Sequence, residues 1–158
     1  MFKLYVKLII LIIPFFSHAV FADEISISTP LELSEKYRAA HEANAYDQIM
    51  PLVNWEGTRK PQKKKFEFYT TASFGMKIDN IVIEEVTDDQ FKKYKIKNRE
   101  LEPNLDVTHT MTVHFDVAKD DPKAGGNDTA VYLLGKNGEN YMITVYVIAD
   151  RSARTRFD

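Results

Sequence analysis

His109 is the side chain in this chain best placed to do chemistry. It sits in the run Val107 to Val117, where Val107, His109, Met111, Val113, Phe115 and Val117 share one side of a strand and Thr108, Thr110, Thr112, His114 and Asp116 share the other. A neutral imidazole on the apolar side can line an interior and act as a base near neutral pH. The sequence fixes no acidic partner for it, so a hydrogen-bonded histidine at a core edge is the simpler reading. His114 and Asp116, two residues apart on the polar side, would hold a metal only if another strand or chain supplied further ligands. They are read as exposed polar residues, and no metal site is assigned. His41, beside Glu42 on a helix without paired-histidine spacing, is read as surface. The chain has no Gly-rich phosphate loop, Gly-x-Ser-x-Gly elbow, His-Glu-x-x-His motif, cysteine nucleophile or calcium loop. No catalytic residue and no cofactor is assigned.

Charge is clustered. Arg59, Lys60, Lys63, Lys64 and Lys65 form one basic group, Lys92, Lys93, Lys95, Lys97 and Arg99 another, and Glu84, Glu85, Asp88 and Asp89 an acidic one. Such clusters steer charged partners, anionic lipid headgroups among them, or simply compensate one another. Tyr46, Trp55, Phe66 and Tyr69 are spaced to surround a pocket mouth or to enter the core.

The elements that would position these groups are legible from periodicity and end signals. Thr29-Pro30-Leu31-Glu32 is a helix start with a capping hydroxyl and a proline in the first turn. A helix follows from Pro30 to about Ala43, with Leu33, Tyr37, Ala40 and Asn44 on the side to be buried. A short second helix is expected from Asn44 or Asp47 to Val53, then a turn at Trp55-Glu56-Gly57. Lys63 to Phe74 fits both helical and strand periods, and helix is preferred because Gly75 stands where a left-handed terminating residue belongs. Strands are expected over Lys77 to Thr87, Val107 to Val117, Thr129 to Lys136 and Tyr141 to Ala149, the last two joined by a type I′ turn at Asn137-Gly138. Asp88 to Asn104 reads as a charged connection with one helical turn at Asp89 to Lys93, and Asp120 to Asp128 as a turn-rich loop. The fold class is α+β: N-terminal helices packed on a curved four-stranded antiparallel sheet.

The first 22 residues read as a secretory signal, with Lys3 and Lys7, an apolar run from Leu8 to Phe16, and Val20-Phe21-Ala22 before a cut between Ala22 and Asp23. The run is shorter than the ~20 residues of a spanning helix, contains Pro14 and is broken at Ser17 and His18, so no integral membrane span is expected after processing. Removing 22 residues from 158 leaves 136, one domain's length. Its 19 basic and 23 acidic residues give a formal charge of −4, which argues against nucleic acid as a partner. Without cysteine, neither a disulfide framework nor lipoprotein attachment applies. The chain divides into a signal (1–22), an N-terminal extension (23–29), one domain (30–149) and a basic tail (150–158) with Arg151, Arg154 and Arg156. A periplasmic or secreted location follows.

Ser34-Glu35-Lys36-Tyr37-Arg38-Ala39-Ala40, Asp47 to Trp55-Glu56-Gly57, Pro103-Asn104-Leu105 before a long strand, and Leu134-Gly135-Lys136-Asn137-Gly138 together resemble the cystatin-like, nuclear-transport-factor-like half-cone superfamily. The resemblance spans most of Leu31 to Ile148 and implies a sheet curved around a helix. Tyr37, Trp55, His109 and Met111 are then the candidate pocket residues. That superfamily includes isomerases, dehydratases and non-catalytic ligand-binding domains, so fold does not choose the function. The acidic base and oxyanion partners of its isomerases match no position here. The leading expectation is an exported, non-catalytic envelope domain that binds a small apolar ligand or another envelope protein through its concave sheet or exposed edge. Any self-association would be a homodimer through the sheet. The alternatives are an isomerase- or hydrolase-like enzyme with His109 as base, and an inhibitor or immunity-type factor whose charged loops, Asp88 to Asn104 and Asp120 to Asp128, face a target.

Overall fold

The computed structural model describes residues 26–87, 91, 94–96, 99–117 and 128–149. The signal, its Ala22–Asp23 cut, the basic tail, most of the 120–128 loop and the helical turn expected near residue 90 lie outside the described residues. Within them the chain is α+β. Helices α1 (Pro30–Glu42), α2 (Tyr46–Ile49) and α3 (Lys60–Ala72), with a 3-10 turn at Met50–Leu52, precede seven strands: β1 (Lys77–Glu85), β2 (Tyr94–Ile96), β3 (Arg99–Pro103), β4 (Val107–Asp116), β5 (Thr129–Asn137), β6 (Asn140–Thr144) and β7 (Tyr146–Ile148).

Helix α1 begins and ends on side-chain and backbone caps. Thr29 Oγ1 accepts from Glu32 N at 3.1 Å, and the Glu32 carboxylate reaches one residue beyond the cap to accept from Ser28 N at 3.0 Å. At the other end Asn44 takes φ 53°, while Ala45 N donates to Ala40 O and Asn44 N to His41 O, the paired bonds of a Schellman stop. The buried side is Leu33, Ser34, Tyr37, Ala40 and His41. His41 therefore does not lie on the surface as its charged neighbours suggested. It follows Tyr37 by four residues and shares its face.

The expected four-stranded antiparallel sheet is present in the order β1-β4-β5-β6. Ile81 and Ile83 stand beside Val113 and Met111, and Met111 beside Tyr132, so the apolar sides of three strands coincide. Register shifts between Ile78 and Asn80 and between Val107 and His109 break the regular pleat of the long strands, the kind of irregularity that bends a sheet. The core is Leu33, Tyr37 and Ala40 of α1 with Ile49, Leu52 and Val53, packed on Ile78, Met111, Val113, Phe115, Leu134 and Ile143. Residue 27 adds to the β6 edge: Tyr141 N donates to Ile27 O, and Ile27 N to Asn140 Oδ1.

Four further expectations need correction. The charged connection before Asn104 contains β2 and β3, which with β7 form a second sheet in the order β2-β3-β7. The returning strand is not continuous to Ala149, because β6 ends at Thr144 and β7 starts at Tyr146 in that other sheet. The expected second helix is only α2 plus the 3-10 turn, since Pro51 cannot extend an α-helix that has already begun. The hairpin turns on Gly138 and Glu139, with Asn137 still paired to Asn140. Gly138 alone takes a positive φ, 61°, at the first central position, as in a type II′ turn.

Asn104 holds the strand where it changes sheets. Its Oδ1 accepts from Thr144 Oγ1 at 2.8 Å and Val145 N at 3.0 Å, and its Nδ2 donates to Asn54 O at 2.7 Å and Glu56 O at 3.0 Å. Asn104 N also donates to Val145 O. Beside it the chain at Leu105 and Asp106 crosses so close over Gly135 that a Cβ there would lie 2.8 Å from Leu105 Cβ, and closer still to the Asp106 carbonyl. Only glycine permits that approach.

Asn104→Ala is expected to lower stability by about 3 kcal/mol, because several partly buried groups lose their partners at once. Gly135→Ala is expected to cost about 1–3 kcal/mol through overpacking. Urea denaturation followed by circular dichroism checks both, and midpoints equal to the wild type would contradict the clamp and the close crossing.

Candidate functional site

The residues proposed from sequence to line a pocket end up in different places. Tyr37 and Met111 are both fully buried in the core, each at 0% exposure. The Tyr37 hydroxyl meets the Tyr132 hydroxyl at 2.8 Å, with ring centroids 5.1 Å apart. Burial pushes both phenols above the usual tyrosine range, so both stay protonated at neutral pH. The buried Thr70 of α3 is a close polar neighbour of the Tyr132 phenol and acts to lower its pKa against the larger effect of burial. The paired hydroxyls join α1 and β5 across the interior that the half-cone resemblance would leave for a ligand.

His109 is half-buried near the other end of β4. Its Nδ1 is 3.0 Å from Thr108 Oγ1, and its ring meets Tyr141 edge-on at 5.6 Å. No carboxylate or tyrosine hydroxyl is in hydrogen-bond contact with it among the described residues. Trp55 is half-buried, donates from Nε1 to Met50 O at 2.9 Å, packs edge-on against Phe66 at 5.3 Å and carries the Lys63 ammonium 5.4 Å above its ring. An open cleft of about 390 Å³ lies elsewhere, between the end of α3, the Phe74-Gly75-Met76 turn, Lys77, Asp116 and Val117. None of the four candidates lines it.

His41 was missed as an interior residue. It is 1% exposed, stacked on Tyr37 and in contact with Phe74 and Phe115. Its Nε2 lies 3.1 Å from Ser73 Oγ, whose own proton goes to Thr70 O at 2.7 Å. The serine oxygen is thus the acceptor, Nε2 carries the hydrogen, and Nδ1 is a buried lone pair without a partner. Burial lowers the His41 pKa, against the opposing effects of Ser73 and the Glu42 charge. The i, i+4 relation to Tyr37 was the available signal.

The surface feature that separates from these packed groups is the outer side of α3. Lys60 lies at its start, behind Arg59, whose backbone N donates to Gln62 Oε1 at 2.8 Å. Phe66 and Thr70 turn inward, and Gln62 Nε2 donates to Tyr146 O at 2.6 Å, tying the helix to β7. At 3.6 residues per turn this leaves Pro61, Lys64, Lys65, Phe68 and Ala72 on an outward arc of about 100°, with Tyr69 at its edge. All six are exposed, Phe68 at 66% and Tyr69 at 62%. Phe68 and Tyr69 touch edge-to-face at 5.5 Å, and the Lys65 ammonium lies 5.7 Å over the Tyr69 ring. Of the aromatic residues weighed for a pocket mouth or the core, Trp55 and Phe66 pack inward and Tyr69 faces out, and the neighbour that completes the exposed pair is Phe68.

Comparison with protein-family models, curated proteins and solved structures gives no match.

Folding stability is expected to decline with acid in a His41-dependent way. The unfolded chain takes up the proton first, so the contribution is complete above the ordinary histidine value of 6.5 and is lost as pH falls through it to the lower folded value. Denaturant midpoints measured between pH about 7.5 and about 5 should fall for the wild type and vary less for His41→Phe. Identical pH profiles would contradict the buried neutral imidazole.

Proposed function

We propose that this chain is an exported, non-catalytic interaction domain of the cell envelope, and that it meets its partner through the outward side of α3. The observation that carries the reading is the contrast between interior and surface. Tyr37, Met111 and Tyr132 fill the concave side of the sheet, while Phe68 and Tyr69 stand exposed among lysines. Large aromatic side chains gain from burial, and a pair of them left in water on a rigid helix marks a contact surface. A small apolar ligand inside the cone would have to displace packed, hydrogen-bonded side chains. His109 has Glu85 opposite it in the β1–β4 register, but among the described residues no carboxylate is hydrogen-bonded to its ring, which gives little support to the enzyme alternative. The leader-like first 22 residues supply the envelope location, and the curved sheet around α1 supports the half-cone resemblance. Among the described residues no helix is long and apolar enough to cross a membrane.

Expression of the full chain in a bacterium, followed by osmotic release, envelope sedimentation and mass measurement, tests this. The wild type should begin at Asp23 and sediment with envelopes, whereas the Phe68→Ser, Tyr69→Ser double variant should remain soluble. Both substitutions are at exposed positions, so stability should change by less than about 0.5 kcal/mol each. An unprocessed chain would refute the export reading. A wild type that never sediments, or a variant that sediments equally, would refute the surface reading.

A further inference from the structure

Resting on the reading of α3 as the contact surface, we infer that its partner is the anionic surface of a lipid bilayer. Arg59, Lys60, Lys63, Lys64 and Lys65 fall within seven consecutive positions, and Glu67 is the single acid of α3. Among the described residues none of these five cations is paired with a carboxylate. The chain as a whole is acidic, at −2. Without these five cations the rest of the chain sums to −7, so an anionic plane would favour this helix over the acidic remainder, with the Lys92 to Arg99 group as the competing basic surface.

The residue types favour lipid over protein. Protein interface cores are depleted in lysine, and carboxylate recognition by geometry favours the planar fork of arginine. This face instead carries lysines on flexible stems, which act as point charges against a diffuse negative layer. Phe68 and Tyr69 adjoin them on a convex helix surface, where rings can enter the headgroup boundary while the ammonium groups remain among phosphates. The Gln62 bond to β7 and the inward Phe66 and Thr70 hold the helix so that it already presents this face.

The processed protein is mixed with vesicles of phosphatidylcholine alone or with about 30% phosphatidylglycerol, and bound protein is measured by sedimentation. Binding should require the anionic lipid and weaken about tenfold or more between about 0.1 M and about 0.5 M salt. Lys64→Glu with Lys65→Glu should weaken it about tenfold or more, as should Phe68→Ser with Tyr69→Ser, with unchanged thermal midpoints. Equal binding to both vesicles, no binding to the anionic ones, or indifference to the charge reversal overturns the inference. Sedimentation with native envelopes that needs Phe68 and Tyr69 but fails on vesicles would assign the surface to a protein partner, leaving the interaction-domain reading intact. Failure on both would remove both.

Discussion

The Asn104 side chain offers two N–H donors and an oxygen with two lone pairs, and all four are used. Two bonds go to the segment that leads into α3, through Asn54 and Glu56. The other two go to Thr144 and Val145, where the last strand leaves one sheet and enters the other. An aspartate lacks the donors, and a leucine lacks everything but bulk. Because β7 is fixed there, Tyr146 O is in place for Gln62, and the start of α3 is fixed in turn. The crossing of Leu105 and Asp106 over Gly135 belongs to the same knot. A small set of short polar contacts thus decides how α3 is held.

The interior around α1 is closed by similar means. Tyr37 and Tyr132 satisfy each other, and His41 reaches Ser73, so each polar tip but one has a partner. The exception, His41 Nδ1, tolerates burial only as a neutral lone pair. A filled interior leaves little for a ligand to occupy on the concave side. What α3 cannot bury is then the more informative surface: Phe66 and Thr70 satisfy its inner side, and the remaining aromatics and lysines face outward.

Much of the architecture was readable from local signals. The Thr29 cap, the alternation through β4 and the left-handed Gly75 each act within a few residues, and each led to the right element type. What escaped depended on distant partners. The break at Val145 leaves no local mark, because it is made by Asn104 some forty positions earlier. Short strands β2 and β3 sit in a charged stretch whose pairing is supplied by β7. His41 looked polar because its sequence neighbours are charged, while its spatial neighbours are Tyr37, Phe74 and Phe115. The basic cluster at Arg59 to Lys65 was visible, but no local signal marked Phe68 beside it as exposed, since a helix face shows its orientation only after the core has chosen its own side.

The central claim is that the interior is shut and the working surface is outside. The most direct test is proton NMR of the native protein at neutral pH, observing the Tyr37 hydroxyl, with Tyr37→Phe for assignment. A closed interior predicts a resolved, slowly exchanging hydroxyl proton that is lost in the variant. A Tyr37 hydroxyl in fast exchange with water would mean that solvent reaches the concave side, and would return the ligand-binding site to the inside of the sheet.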